Sequence, residues 1–124
     1  MDADLQITLT ESGPYPVLDL VGEVDAYTCA SFREAIIKAL DGENTSLIIS
    51  MNGVEYIDST GLGALVGGLK RVSEKQGYIC IVCTNPQVTK VFEITGLVKV
   101  FPIYASIDEA ISSLQSGNPS GVSG

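Results

Sequence analysis

Leu5, Ile7 and Leu9 alternate with Gln6, Thr8 and Thr10, the two-residue period of a strand with one face buried. This predicts a first strand over residues 5–11. Ser12-Gly13-Pro14-Tyr15-Pro16 is dense in turn formers and Val17-Leu18-Asp19-Leu20-Val21 follows, so the first two strands are expected to form a hairpin that ends at Gly22-Glu23-Val24-Asp25. From Thr28 the period lengthens: Phe32, Ala35, Ile36, Ala39 and Leu40 fall at helical spacing, with Thr28 as N-cap, predicting a helix to about Asp41-Gly42. Ser46 to Met51 is a short apolar run between polar flanks and suits a third, buried strand. After Asp58, residues Leu62, Leu65, Val66, Leu69 and Val72 recur at three and four, predicting a second helix to about Gln76-Gly77.

The C-terminal third repeats the alternation. Tyr78 to Cys83 reads as a fourth strand, and Asn85-Pro86 opens a third helix with a cap residue and a proline at its first position, ending at Gly96. Leu97 to Phe101 is expected to form a short last strand, and Ser106 with Glu109 is a capping box that starts a fourth helix running through Leu114. Residues 116–124, rich in Gly, Ser, Asn and Pro, are expected to form a disordered tail after a single domain over residues 1–115. Strands alternating with helices give an α/β fold: a mostly parallel mixed sheet of about five strands with four helices, the N-terminal strand antiparallel. In such a sheet, loops at the carboxyl ends of the strands build the binding surface. Those loops are Glu23–Thr28, Asn52–Thr60 and Thr84–Pro86.

Composition narrows the chemistry. The chain has 124 residues, 45% hydrophobic and 18% charged, the size and balance of one globular domain. Fifteen acidic against seven basic residues give a net charge of −8, which repels nucleic-acid phosphates and anionic lipid heads alike. Neither nucleic acid nor membrane is therefore an expected partner. Met1-Asp2-Ala3-Asp4 lacks the basic flank and apolar stretch of a secretory signal, and no apolar run approaches the roughly 18 residues needed to span a bilayer, so the expected location is the cytoplasm. There is no histidine, the commonest general base and metal ligand. Cys80 and Cys83 have CxxC spacing, but on a strand they face opposite sides roughly 10 Å apart, too far for a disulfide, and read as two small core-compatible side chains.

The densest cluster of reactive groups is Tyr56-Ile57-Asp58-Ser59-Thr60-Gly61-Leu62-Gly63, where the third strand hands over to the second helix. A hydroxyl there sits among the unpaired N–H groups and the positive end of a helix dipole, so Ser59 and Thr60 are candidate phosphoacceptors. Asp58, Ser59 and Thr60 equally suit a plain helix cap. Gly61, Gly63 and Gly67 follow a strand as in a dinucleotide loop. Against that reading, Asp58 would face the pyrophosphate, Thr84 and Asn85 offer the ribose no carboxylate, and the strand is not the first of the fold. A Walker loop is missing because no Gly-Lys-Ser/Thr occurs. The sequence thus favours a binding module without catalytic activity or cofactor over an enzyme.

Three blocks carry a family resemblance: Gly22-Glu23-Val24-Asp25-Ala26-Tyr27-Thr28, Ile57-Asp58-Ser59-Thr60-Gly61-Leu62-Gly63, and Val91-Phe92-Glu93-Ile94-Thr95-Gly96-Leu97. In order and spacing they resemble bacterial anti-sigma-factor antagonists of the STAS fold, over residues 5 to about 114. The resemblance implies that Ser59 is phosphorylated by an anti-sigma factor that is also a serine kinase, and that Asp25 is a second functional residue. It further implies partner switching. The unphosphorylated protein binds the kinase and frees a sigma factor, phosphorylation ends binding, and a serine phosphatase resets the chain. The expected contact set is Asp25, Tyr27, Asp58, Thr60, Gly61, Leu62 and Asn85, with no metal site. Two alternatives keep the fold and change the role: a STAS subunit of a larger sensory assembly, or a nucleotide-binding STAS protein.

Overall fold

The structure is a computed structural model, and it describes residues 5–117. Strands β1 (Leu5–Ser12) and β2 (Tyr15–Val24) form the hairpin, followed by α1 (Cys29–Ala39), β3 (Leu47–Ile57), α2 (Ser59–Glu74), β4 (Ile79–Val82), α3 (Pro86–Thr95), a 3₁₀ turn (Leu97–Lys99), β5 (Ile103–Tyr104) and α4 (Ile107–Gln115). The sheet order is β1-β2-β3-β4-β5, with β1 antiparallel to β2 and every other pair parallel. This is the α/β mixed sheet the alternating pattern predicts.

Because each parallel strand is laid down beside the last in one direction, crossovers of one hand put all three connecting helices on the same face. Their apolar stripes meet the sheet there, with Phe32 and Ile36 from α1, Leu65 and Val72 from α2, and Phe92 from α3 all buried against Leu18, Leu20, Ile49 and Ile81. The other face carries a smaller core, where Ala110 and Leu114 of α4 cover Val17, Ile48, Cys80 and Val82. Cys80 and Cys83 fall in different clusters, on opposite faces of the sheet, and both are free thiols. Burial pushes Cys80 up to about 12 and also raises Cys83.

Three expectations need revision. Residues 97–101 do not form the last strand: Gly96 takes the left-handed conformation (φ 78°) that ends α3, and Val100 and Phe101 then donate back to the Leu97 carbonyl at 3.0 and 2.9 Å. The run instead delivers Phe101 into the core, edge-on to Phe92 at 6.1 Å, and the strand forms two residues later beside Ile81 and Val82. A short apolar run has no periodicity that separates the two outcomes. Second, β3 runs on to Ile57, well past Met51. Its pairing with β2 slips by one residue between Asp19 and Val21 and again between Gly22 and Glu23. Each slip inserts a residue into β3, so its inward side chains Met51, Val54 and Ile57 recur every third position. Third, Ser116 and Gly117 belong to the end of α4, donating to the Ser112 and Leu114 carbonyls. The rest of the expected disordered tail lies outside the described residues.

The join between α2 and β4 depends on a glycine for space. A Cβ on Gly77 would lie 1.6 Å from the Thr45 carbonyl oxygen, so only glycine lets this turn pass the segment leading into β3. That passage is fixed by Leu47 N–H to the Tyr78 carbonyl (2.9 Å) and Tyr78 N–H to the Ser46 hydroxyl (3.0 Å).

A candidate protein-binding site at the carboxyl end of the sheet

Parallel pairing brings the expected loops together. Glu23 lies opposite Tyr56 and Val24 opposite Ile57, and the Asp58 N–H donates to the Val24 carbonyl at 3.1 Å, so the chain leaves β2 and β3 side by side at Asp25 and Asp58. Each aspartate then organises its own loop. The Asp25 carboxylate accepts from the backbone N–H of Tyr27 (2.9 Å) and Thr28 (3.2 Å). Thr28, predicted as the N-cap of α1, makes no cap hydrogen bond. Its buried hydroxyl accepts from Asp25 N–H at 3.0 Å and donates to the Glu23 carbonyl at 2.9 Å. The result is a braced turn that holds the Tyr27 ring out in solvent, 91% exposed.

Asp58 is the N-cap of α2. Its Oδ1 accepts from Thr60 N–H (2.9 Å), Gly61 N–H (3.2 Å) and the Thr60 hydroxyl (2.5 Å). These bonds, the Thr60 hydroxyl first, hold its carboxyl below the usual carboxylate range, although desolvation acts the other way. Ser59 and Thr60 therefore differ chemically. Both are exposed, but the Thr60 hydroxyl is committed to Asp58, while among the described residues the Ser59 hydroxyl has no hydrogen bond. Asp58 also occupies two of the helix N–H groups that an added phosphate could use. A phosphate on Ser59 thus meets a carboxylate already seated at the same helix end.

The remaining expected residues divide. Gly61 and Leu62 are buried and position the site without lining it. A Cβ on Gly61 would sit 2.5 Å from Val24 Cγ1, so the glycine lets α2 start directly against the ends of β2 and β3, and Leu62 is part of the core. Asn85 caps α3 through Gln87 N–H (3.0 Å) and donates from Nδ2 to the Val54 carbonyl (3.1 Å), tying the third loop to β3. Asn52 has a matching part that the sequence did not reveal: its Oδ1 accepts from the N–H and hydroxyl of Thr84 at 2.8 and 3.1 Å. Tyr56, half-exposed beside Glu23, is a second aromatic on this rim. Both lie in the part of β3 where the slipped register breaks the strand alternation. Glu23, Asp25, Glu55 and Asp58 make the rim acidic, and Tyr27 and Tyr56 give it apolar surface.

The rim lies at the carboxyl ends of the strands, in a sheet whose strand order never reverses. Comparison with known proteins gives the family. The STAS domain profile matches residues 6–110, and the chain belongs to the STAS domain family. It is 36% identical over 84 residues to the anti-sigma-B factor antagonist of Listeria monocytogenes, covering 68% of this chain and 74% of that protein. To the anti-sigma F factor antagonist of Paenibacillus polymyxa it is 27% identical over 113 residues, covering 90% of this chain and 97% of the relative. Among solved structures, the anti-sigma factor antagonist SpoIIAA in its unphosphorylated form superposes with a TM-score of 0.77 at 26% identity, over 90% of this chain and 97% of that one. Its phosphorylated form, from Bacillus, gives 0.68 at 25%, over 88% and 99%. Among the described residues no helix is long and apolar enough to cross a membrane.

Proposed function

We propose that this chain is an anti-sigma factor antagonist whose binding is switched by phosphorylation of Ser59. The observation that carries the reading is the contrast at the start of α2: an exposed, uncommitted Ser59 hydroxyl beside a Thr60 hydroxyl held by Asp58. Relatives named as antagonists of anti-sigma factors, one of them solved in phosphorylated and unphosphorylated forms, support the same role. The unphosphorylated rim, with Tyr27, Asp25 and Thr60 around Ser59, docks on an anti-sigma factor that is also a serine kinase and releases its sigma factor. The Ser59 oxygen then attacks the γ-phosphorus of ATP held by the kinase, its proton passes to a base of the kinase, and ADP leaves. The phosphate adds about −1.5 to −2 charge to a rim already carrying Asp25 and Asp58, in a surface desolvated by the partner. The complex dissociates, and hydrolysis by a serine phosphatase restores the hydroxyl.

Incubation with the kinase and ATP followed by peptide mass spectrometry tests the assignment. One phosphate on Ser59, lost in Ser59→Ala, is the expected result. Phosphate on Thr60 with Ser59 unmodified would overturn it.

A further inference from the structure

Both arginines of this acidic chain stand over one groove. Arg33 of α1 and Arg71 of α2 flank a groove of about 260 Å³ between the two helices, with Ala64, Gly67 and Gly68 along its floor and Ile37 on its wall. The groove is apolar and open: Ile37 is 41% exposed, and nothing lies within 4 Å of a Cβ built on Gly67, so another backbone can approach α2 closely. Among the described residues neither guanidinium pairs with a carboxylate. Lys75, by contrast, is held by the Leu40 and Asn44 carbonyls at 3.0 and 3.3 Å. Among the described residues no acidic side chain lines the groove. Glu34 lines a separate cavity with Lys38 on the β1 side of α1, and Glu74 stands one turn beyond Arg71 at the end of α2, outside the groove lining.

We infer that this groove docks an acidic amphipathic helix of a protein partner. An apolar floor between two helices receives the apolar side of a third, and the two guanidinium groups on its borders select glutamates or aspartates flanking that side. On a chain of net charge −8 such a spot is the place where an acidic segment meets attraction rather than repulsion. Gly67 lies eight residues into α2 from Ser59, roughly 12 Å along the helix at ~1.5 Å per residue, so one partner can cover both patches. The identification of that partner as the anti-sigma factor rests on the function proposed above. The acidity of its docking segment does not.

Two arms of one experiment separate these claims. In the first, the isotope-labelled chain is titrated with a synthetic leucine–glutamate amphipathic helix, with its leucine–lysine counterpart, and with ATP. Saturable NMR shifts at Arg33, Ile37, Gly67, Gly68 and Arg71 with the acidic helix alone are expected, and Arg33→Glu/Arg71→Glu abolishes them. Shifts with ATP only, equal shifts with both helices, or none in the groove refute the inference. In the second, the anti-sigma factor is titrated with wild type, Arg33→Glu/Arg71→Glu, Gly67→Leu and Ser59→Asp. Gly67→Leu fills the groove into open space and improves helix propensity, so its melting temperature holds while affinity falls at least tenfold, as for the arginine pair. Full affinity of both groove variants beside a loss in Ser59→Asp would refute this partner as the groove's occupant and leave the switch standing. The reverse pattern would refute the switch and leave the groove.

Discussion

Replacing Thr28 by valine removes one hydroxyl, keeps the branched shape, and strikes the turn that presents Tyr27. The hydroxyl accepts from Asp25 N–H at 3.0 Å and donates to the Glu23 carbonyl at 2.9 Å, and the residue is 7% exposed. Each of these bonds is worth about 0.5–1.5 kcal/mol net, so losing both costs about 1–3 kcal/mol. Water reaching the half-buried Asp25 N–H draws the cost toward the lower end. For a chain of this size each kcal/mol lowers the melting temperature by roughly 3–6 °C. Calorimetry on Thr28→Val and Thr28→Ser, with amide hydrogen exchange at Tyr27 and Thr28, is the assay. Valine should melt several degrees lower and lose protection at those amides, while serine, which keeps the hydroxyl, stays near wild type. A Thr28→Val protein with unchanged melting temperature and protection would mean that Asp25 alone holds the turn.

Gly77→Ala puts a Cβ against the Thr45 carbonyl and should cost about 1–3 kcal/mol as overpacking, read as a lower urea midpoint; an unchanged midpoint would show that this turn has slack. Thiol reagents on the native protein should modify the half-exposed Cys29 first, because burial keeps Cys80 and Cys83 protonated; mass mapping of Cys80 as the fast site would contradict that. The lowered carboxyl of Asp58 binds its proton less readily folded than unfolded. Its stabilising contribution is thus complete above the unfolded value, near pH 4, and is lost as pH falls through the folded one. Urea melts at pH 5, 3 and 2 should show wild type losing stability relative to Asp58→Asn across that window, and parallel losses would remove Asp58 from the account.

The parts of this molecule that could be read from sequence are those where one local rule acts alone. Phe32, Ile36 and Ala39 mark α1 by spacing, Asn85-Pro86 and Ser106 mark helix starts by cap chemistry, and Asp58 marks the head of α2. The rule fails where tertiary structure intervenes. Two register slips against β2 turn the inward period of β3 from two to three, which hid both its length and the hold of Asn52 on Thr84. Gly96 in the left-handed conformation converts an apolar run that reads as strand into a turn. Gly61 sits inside the signature block, yet only the approach of Val24 shows that it faces inward. The pairing of Arg33 with Arg71 across 38 residues is invisible until α1 and α2 pack.

The most direct test of the account is the affinity of the anti-sigma factor kinase, in ADP, for three forms of this chain: unphosphorylated, stoichiometrically phosphorylated on Ser59, and Ser59→Ala. Phosphate in a desolvated contact beside Asp58 should weaken binding at least tenfold, which is about 1.4 kcal/mol, while Ser59→Ala binds like the unphosphorylated protein and melting curves of all three stay close. Equal affinity of the phosphorylated and unphosphorylated forms would reduce Ser59 to one residue of a helix cap and contradict the switch.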